Sequence, residues 1–314
     1  MQYLIRRMEE IGLEYFLGDN YSLPYKATHP ATGQRIEFTN LAGLVPGTYR
    51  TAMPVLIGAH YDSAIDAPCS DDNAVSAALL LSIAEILMKR TLRRNVILAF
   101  FDAEESPFFL TDSMGSIRFY IDHCRGLNFA CVIILDMIGH DFKMGIPLVD
   151  MLMPEIRELL FVLGSESHTL LPSIVEKAAS SARHLRIVPT LTRYIGDTSD
   201  HHAFAAGGQP YLFFSKGRGH HSHQPEDTLE WINFSRVKRV LDFLLKIVGL
   251  LDKAHMNRGR KSIDPSEFEI RLLRKAIGLP FPFLLRFMGL RKLSLRSRRD
   301  LDALAAKMSE RIKF

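Results

Sequence analysis

Six ionisable residues of this 314-residue chain, His60, Asp72, Glu104, Glu105, Asp136 and His223, are of the types that bind metal ions or move protons, and all fall next to apolar runs. His60 directly follows PVLIGA (54–59), Glu104 and Glu105 come just after NVILAFF (95–101), and Asp136 directly follows ACVIIL (130–135). His223 lies in the loop after PYLFFS (210–215), and Asp72 opens the helical pattern that follows the first run. Two imidazoles with three carboxylates suit zinc or a similar borderline ion, whereas all-oxygen sites suit calcium or magnesium. Five ligands exceed what one catalytic zinc takes from protein, so two ions sharing one carboxylate is the economical reading. Glu104 is then left over beside Glu105. Adjacent side chains point in different directions, so one can bind metal while the other serves as general base. Each residue also has a plainer reading. Asp72 would suit the N-cap of a helix beginning at Asn73, Glu104 and Glu105 a solvated loop pair, and His60 a satisfied core histidine.

The elements that must position these residues are legible as periodicity. The runs 54–59, 95–101, 130–135, 158–163 and 210–215 are short, apolar and bounded by turn signals, as buried strands are. Helical periodicity covers 73–89, 114–123, 168–183 and 229–253, and residues 35–45 resemble an edge strand leading into the Pro46-Gly47 turn. Strands alternating with helices predict an α/β fold, a three-layer α/β/α sandwich around a mostly parallel mixed sheet. Ligands of such sheets bind beyond the carboxyl ends of the strands, where the six residues would collect.

The strings GAHYDS (58–63), SDDNA (70–74), FFDAEE (100–105), LDMIG (135–139), SDHHAF (199–204) and HQPEDT (223–228), in this order, resemble metallopeptidase family 28, the co-catalytic zinc aminopeptidases and their relatives. The resemblance covers roughly residues 1–253 and implies a zinc aminopeptidase-like fold acting on peptides with two zinc ions per chain. Carried over residue by residue, it makes His60 and Asp136 ligands of one zinc, Glu105 and His223 ligands of the other, and Asp72 the bridge. It makes Glu104 the proton shuttle and Asp62 the carboxylate that holds the His60 imidazole in one tautomer. It also implies a cis peptide bond at Asp72-Asn73. Asp200 and His201 in SDHHAF are candidates for supporting or substrate-binding roles, with helix capping the alternative for Asp200. Tyr194 is a candidate oxyanion donor because it precedes that motif. The nine-residue insert SPFFLTDSM (106–114) carries Phe108, which either walls the substrate pocket or packs on the core. His220 and His221 read as surface or substrate-lining residues. Val75-Ser76 departs from the Ser-Gly common after the bridging motif.

Two other functions compete. A glutaminyl cyclase would use a single zinc for intramolecular acyl transfer, but such enzymes resemble Asp-Ser where this chain has Asp72-Asn73. A non-enzymatic relative would have lost ligands, and here every ligand position holds a competent residue.

With 47% hydrophobic and 24% charged residues, the chain is composed as a folded protein. Its net charge of +4 is uneven, with +9 in residues 256–314 and −5 in the remainder. The basic balance therefore belongs to the tail, and no nucleic-acid footprint falls on the functional domain. The expected division is a zinc peptidase domain over 1–254 and a basic, mainly helical extension over 255–314. That extension contains the apolar piece GLPFPFLLRFMGL and a charged helical pattern from Ser297 to Lys313, and suits either a homo-oligomer contact or a peripheral membrane contact. No run reaches the roughly 18 apolar residues of a membrane span. Three cysteines, Cys69, Cys124 and Cys131, form no disulfide framework, and the expected location is cytoplasmic.

Overall fold

Alternate residues of the apolar runs leave the sheet on opposite faces, and each face has its own helical layer. The computed structural model describes residues 1–145, 147–182, 184–257, 263–278 and 295–308. Its strands are β1 (Glu14–Tyr15), β2 (Ser22–Thr28), β3 (Arg35–Val45), β4 (Val55–His60), β5 (Val96–Phe101), β6 (Cys131–Leu135), β7 (Leu159–Leu163), β8 (Arg186–Pro189) and β9 (Tyr211–Ser215). They form one sheet in the order β1-β3-β5-β4-β6-β9-β7-β8, with β2 also paired to β3. The four central strands β5, β4, β6 and β9 run parallel, in register from Val55 opposite Val96 and Cys131. Pairing turns antiparallel at both flanks, β3 on β5 and β7 on β9.

Val55, Ile57, Ala59, Val96, Leu98 and Phe100 pack with helices α1 (Gln2–Ile11), α2 (Val75–Met88), α5 (Leu171–Ser181) and α8 (Phe234–Lys253). The intervening Leu56, Ile97, Ala99 and Phe101 face α3 (Gly115–Phe119) and α7 (His201–Ala206) on the other side. The short helices α4 (Pro147–Leu152) and α6 (Thr192–Ile195) lie in the connections between strands. Both faces of the central strands are thus dry, which is why their sequences are continuously apolar rather than alternating. The expected three-layer sandwich is the one observed.

The five expected inner strands are present within a residue or so, and so is the strand at 35–45, but it is not the edge strand expected: it pairs with β5 on one side and with β1 and β2 on the other. The helical patterns are trimmed for local reasons. Asp72 (φ −116°, ψ 76°) and Asn73 (φ −141°, ψ 32°) are not helical, so regular helix starts only at Val75. In the pattern 229–253 a short 3₁₀ turn precedes α8, whose first turn is capped by Asn233 Oδ1 accepting from the Arg236 N–H at 3.2 Å. That bond satisfies one of the free N–H groups at the helix start. The helix expected over 114–123 is regular only to Phe119 and continues as a wider turn to Cys124. Helix α3 packs so closely on the end of β5 that a Cβ on Gly115 would lie 1.9 Å from the Asp102 carbonyl oxygen, so only glycine fits. Strands β1, β2 and β8 and helix α1 have no counterpart in the sequence expectations.

In the tail, α9 (Ser266–Ile277) lies along β8, the last strand on its side of the sheet. Phe268 and Leu272 join one core while Ile270, Leu273 and Ala276 join the other. A final helix, α10 (Arg298–Met308), adds Leu301 and Leu304 to the second. The apolar piece beyond Gly278, the stretch 258–262 and the end of the expected terminal helix beyond Met308 lie outside the described residues. No helix among the described residues is long and apolar enough to cross a membrane.

Just past β9, Lys216 is wholly buried, its ammonium donating to the Arg157 carbonyl at 2.8 Å. Burial, followed by the charge of Arg236, depresses its pKa to about 7. A base whose folded pKa is depressed leaves the folded state with fewer protons than the unfolded chain between pH about 7 and 10.5, so stability rises with pH across that window. Below it the full penalty of a buried cation remains. Lys216→Met is therefore expected to raise the urea midpoint at pH ~6, with an advantage that shrinks by several kcal/mol toward pH ~10. Parallel pH dependence of the two proteins would refute this.

Candidate metal centre

The carboxyl ends of β4, β5, β6 and β9 lie side by side, and each delivers its ionisable residue to one rim. His60 is the last residue of β4, and Asp136 immediately follows β6, its N–H donating to the Phe214 carbonyl of β9 at 3.1 Å. Glu104 and Glu105 sit three and four residues past β5, where Ala103 adopts φ 51°. Asp72 approaches from the irregular turn before α2, and His223, at φ 59°, from the loop after β9.

Asp72 lies between two histidines. Its Oδ1 is 3.4 Å from His60 Nε2, which is 3.6 Å from Asp136 Oδ1. Its Oδ2 is 3.2 Å from His223 Nε2, which is 3.3 Å from Glu105 Oε2. Three three-residue groups among the described residues could each hold an ion: His60/Asp72/Asp136 and Asp72/Glu105/His223, which share one carboxylate, and His60/Glu104/Glu105. Zinc bound tetrahedrally at about 2.0–2.2 Å would place its ligand atoms roughly 3.3–3.6 Å apart, which is the spacing found. None of these contacts has the direction of a hydrogen bond. Both ring nitrogens of His60, Asp136 Oδ1 and Glu105 Oε1 are buried without a hydrogen-bond partner. Buried polar atoms in native proteins are nearly always satisfied, so this set fits a cation.

Electrostatics point the same way. Burial, then repulsion from Asp72, pushes the Glu105 carboxyl up to about 7, and burial raises Asp136 as well. Burial would raise Asp72 too, but His223 and His60 outweigh it and hold that carboxyl well below the ordinary range. Glu104, within 4.8 Å of both His60 and Glu105, is pushed well up by burial; His60 pulls it down, while Asp200, Asp136 and Glu105 push it up. Several carboxylates in one dry rim repel one another, and positive charge among them relieves that repulsion.

Asp62 holds the far side of His60. Its Oδ1 is 3.4 Å from His60 Nδ1, and its Oδ2 accepts from the Glu105 N–H at 3.0 Å. The Asp72-Asn73 bond is cis, as the resemblance implied, and Ser106-Pro107 is a second cis bond. Helix α2 starts without a side-chain cap, so Asp72 faces the two histidines instead of capping it.

Further residues emerge only in three dimensions. Asp227, from HQPEDT, accepts the N–H groups of Asp71 at 2.9 Å and Asp72 at 3.1 Å, fixing the backbone that carries the shared carboxylate. Asp71 accepts the Gly139 N–H at 2.6 Å and contacts His140 Nδ1 at 2.5 Å. Asp102 accepts the Thr39 N–H at 2.9 Å and the Tyr61 hydroxyl at 3.2 Å, steadying the loop that bears Glu104. The sequence signal for all three was their place inside quoted motifs.

The remaining candidates fall elsewhere. Asp200 is fully buried near His60, and burial, partly countered by His60, pushes its carboxyl up to about 7. It makes no side-chain cap to α7. His201 stacks on Phe213 with centroids 4.4 Å apart, and burial lowers its pKa to about 4. Phe108 packs edge-on against Phe38 at 4.8 Å. Tyr194 hydrogen-bonds Asp302 of α10 and lines an apolar cavity of about 250 Å³ between the sheet and the tail helices. A larger cleft of about 990 Å³ is lined by Asp71 and Ser222, the sequence neighbours of Asp72 and His223, and by His140, Arg218, His221 and Trp231 among others.

The family model of peptidase family M28 matches residues 40–248. The chain is 29% identical over 216 residues to the uncharacterized protein YfbL of Escherichia coli strain K12, covering 62% of this chain and 66% of that one. Among solved structures it is similar to BSAP, a zinc aminopeptidase from Bacillus subtilis, with TM-score 0.55 and 21% identity over 74% of this chain and 54% of the other. It is also similar to the glutaminyl cyclase of Tannerella forsythia, with TM-score 0.58 and 20% identity over 79% and 88%. At these identities the structural likeness establishes the fold. The chain spans about half the length of the Bacillus enzyme and 66% of YfbL.

Proposed function

The chain belongs to peptidase family M28, and from that premise we propose that it is a zinc-dependent aminopeptidase with two ions per chain. The observation that carries this reading is the pair of ligand groups joined through the two oxygens of Asp72. His60 and Asp136 would hold one ion, Glu105 and His223 the other, and Asp72 both. Zinc bound there would polarise the scissile carbonyl and lower the pKa of an attacking water. Asp62, 3.4 Å from the opposite ring nitrogen, would fix the His60 tautomer that presents Nε2 inward. Glu104 is placed to take a proton from water and deliver it to the leaving amine. Its burial raises its basicity, which favours that transfer.

A glutaminyl cyclase holding a single ion needs only one ligand group, and the two groups joined through Asp72 favour the two-ion reading over it. Metal analysis combined with a substrate panel tests the choice. About two zinc ions per chain are expected, with hydrolysis of aminoacyl-amides that bear a free amine and none of their N-acetylated forms. One ion per chain together with cyclisation of a glutaminyl peptide would replace this reading with the cyclase.

A further inference from the structure

Three consecutive N–H groups of the turn that carries Asp72 are taken by one residue. Ser70 donates to the Asp227 carbonyl at 3.1 Å, while Asp71 and Asp72 donate to the Asp227 carboxylate at 2.9 and 3.1 Å. Buried N–H groups outside regular structure must find acceptors, and a carboxylate is a strong one. Asp227 is itself buried and comes four residues after His223. It therefore ties the shared ligand to the segment that carries His223, a ligand of the Asp72/Glu105/His223 group.

The same turn is tied on its other side. Asp71 Oδ1 accepts the N–H groups of Gly139 at 2.6 Å and His140 at 3.2 Å, and the Asn73 amide donates to the Leu135 carbonyl at 3.0 Å. Leu135, Gly139 and His140 flank Asp136, a ligand of the His60/Asp72/Asp136 group. The turn is thus clamped between two ligand-bearing segments, and the carboxylate hanging from it faces one histidine of each group, Oδ1 toward His60 and Oδ2 toward His223. Both oxygens belong to one rigid group, so a rotation of the turn that spoils one contact spoils the other.

We propose that Asp227 and, from the opposite side, Asn73 are positioning residues for both ions: they set the aim of the shared carboxylate, so that loss of either brace weakens the two ions together. The proposal rests on the two-ion reading given above. Asp227→Asn keeps the size of the side chain but puts an NH₂ donor where an oxygen receives N–H groups, which strands a buried N–H of the turn. Asn73→Ala removes the tie to Leu135.

The full-length wild type and the two variants, stripped of metal, are titrated calorimetrically with zinc against a competing chelator. Both dissociation constants are expected to rise about 10- to 100-fold in Asp227→Asn and in Asn73→Ala, the cost of losing a partner behind a metal ligand. His223→Ala, which takes a ligand from one of the two groups, should weaken one ion and leave the other near its wild-type constant. The visible absorption of the cobalt-loaded variants should also differ from that of the wild type, because a re-aimed Asp72 changes the ligand geometry. A merely structural role would lower the urea midpoint of the metal-free variants and leave the zinc constants and the cobalt spectrum unchanged. That result overturns the proposal, as does weakening of one ion alone. Should circular dichroism show that Asp227→Asn does not fold, Asn73→Ala decides by the same criteria. A wild type that takes up a single ion would overturn the two-ion reading; the braces would then be upheld by a raised constant for that ion and refuted by an unchanged one.

Discussion

Glu104→Gln is expected to lower kcat at least ~100-fold while the chain keeps its two metal ions, the size of loss that accompanies removal of a general base. Glutamine preserves the shape and the burial of Glu104, which is 5% exposed, but it cannot accept a proton. The side chain forms a third candidate group with His60 and Glu105 but lies outside the two that share Asp72, so if it acts as base rather than ligand, metal content should not follow the rate. Burial and the negative charges of Asp200, Asp136 and Glu105 push Glu104 upward against the pull of His60, so the acidic limb of the wild-type pH profile should reflect its ionisation. That limb should vanish in the variant. Undiminished kcat would remove Glu104 from the mechanism. Loss of metal in step with activity would make it a ligand instead.

Asp72→Ala should have the larger effect, with activity down by roughly 1000-fold or more and metal content falling from about two ions to one or none. The two oxygens of this residue lie 3.4 Å from His60 Nε2 and 3.2 Å from His223 Nε2, so its deletion takes a ligand from both groups at once. Asp136→Ala and His223→Ala, by contrast, each remove one ligand from one group. Metal counting by atomic emission on the three variants, with circular dichroism to verify folding, separates a shared ligand from an ordinary one. If Asp72→Ala loses no more metal than Asp136→Ala, the carboxylate does not bridge.

The site was legible in the sequence because of where apolar runs stop. A strand buried on both faces reads as an unbroken apolar string, and His60 and Asp136 are the first polar residues after two such strings. Strands β2 and β8 gave no such signal. SLPYKAT buries only Tyr25 and Ala27 while Pro24, Lys26 and Thr28 are exposed, and RIVP is four residues long. The backing of the site was hidden for another reason. That Asp227 holds the amides of Asp71 and Asp72 is a contact across more than 150 positions, and nothing local to either segment specifies it. Tyr194 illustrates the converse. It stands six positions before Asp200 in sequence, yet its hydroxyl is engaged by Asp302 and Arg298, residues more than 100 positions away.

The placement of α9 along β8 also bears on how the protein stays dispersed. An uncovered outer strand presents a row of backbone donors and acceptors on which another sheet can grow, and natural proteins shield such rows with charge, with proline or with a covering element. Here Pro189 ends the strand and α9, sending apolar side chains to both faces of the sheet, covers its length. A chain cut before Ser266 would therefore bare a sticky margin, and clumping of such a fragment would report that exposed seam rather than any defect in the catalytic rim.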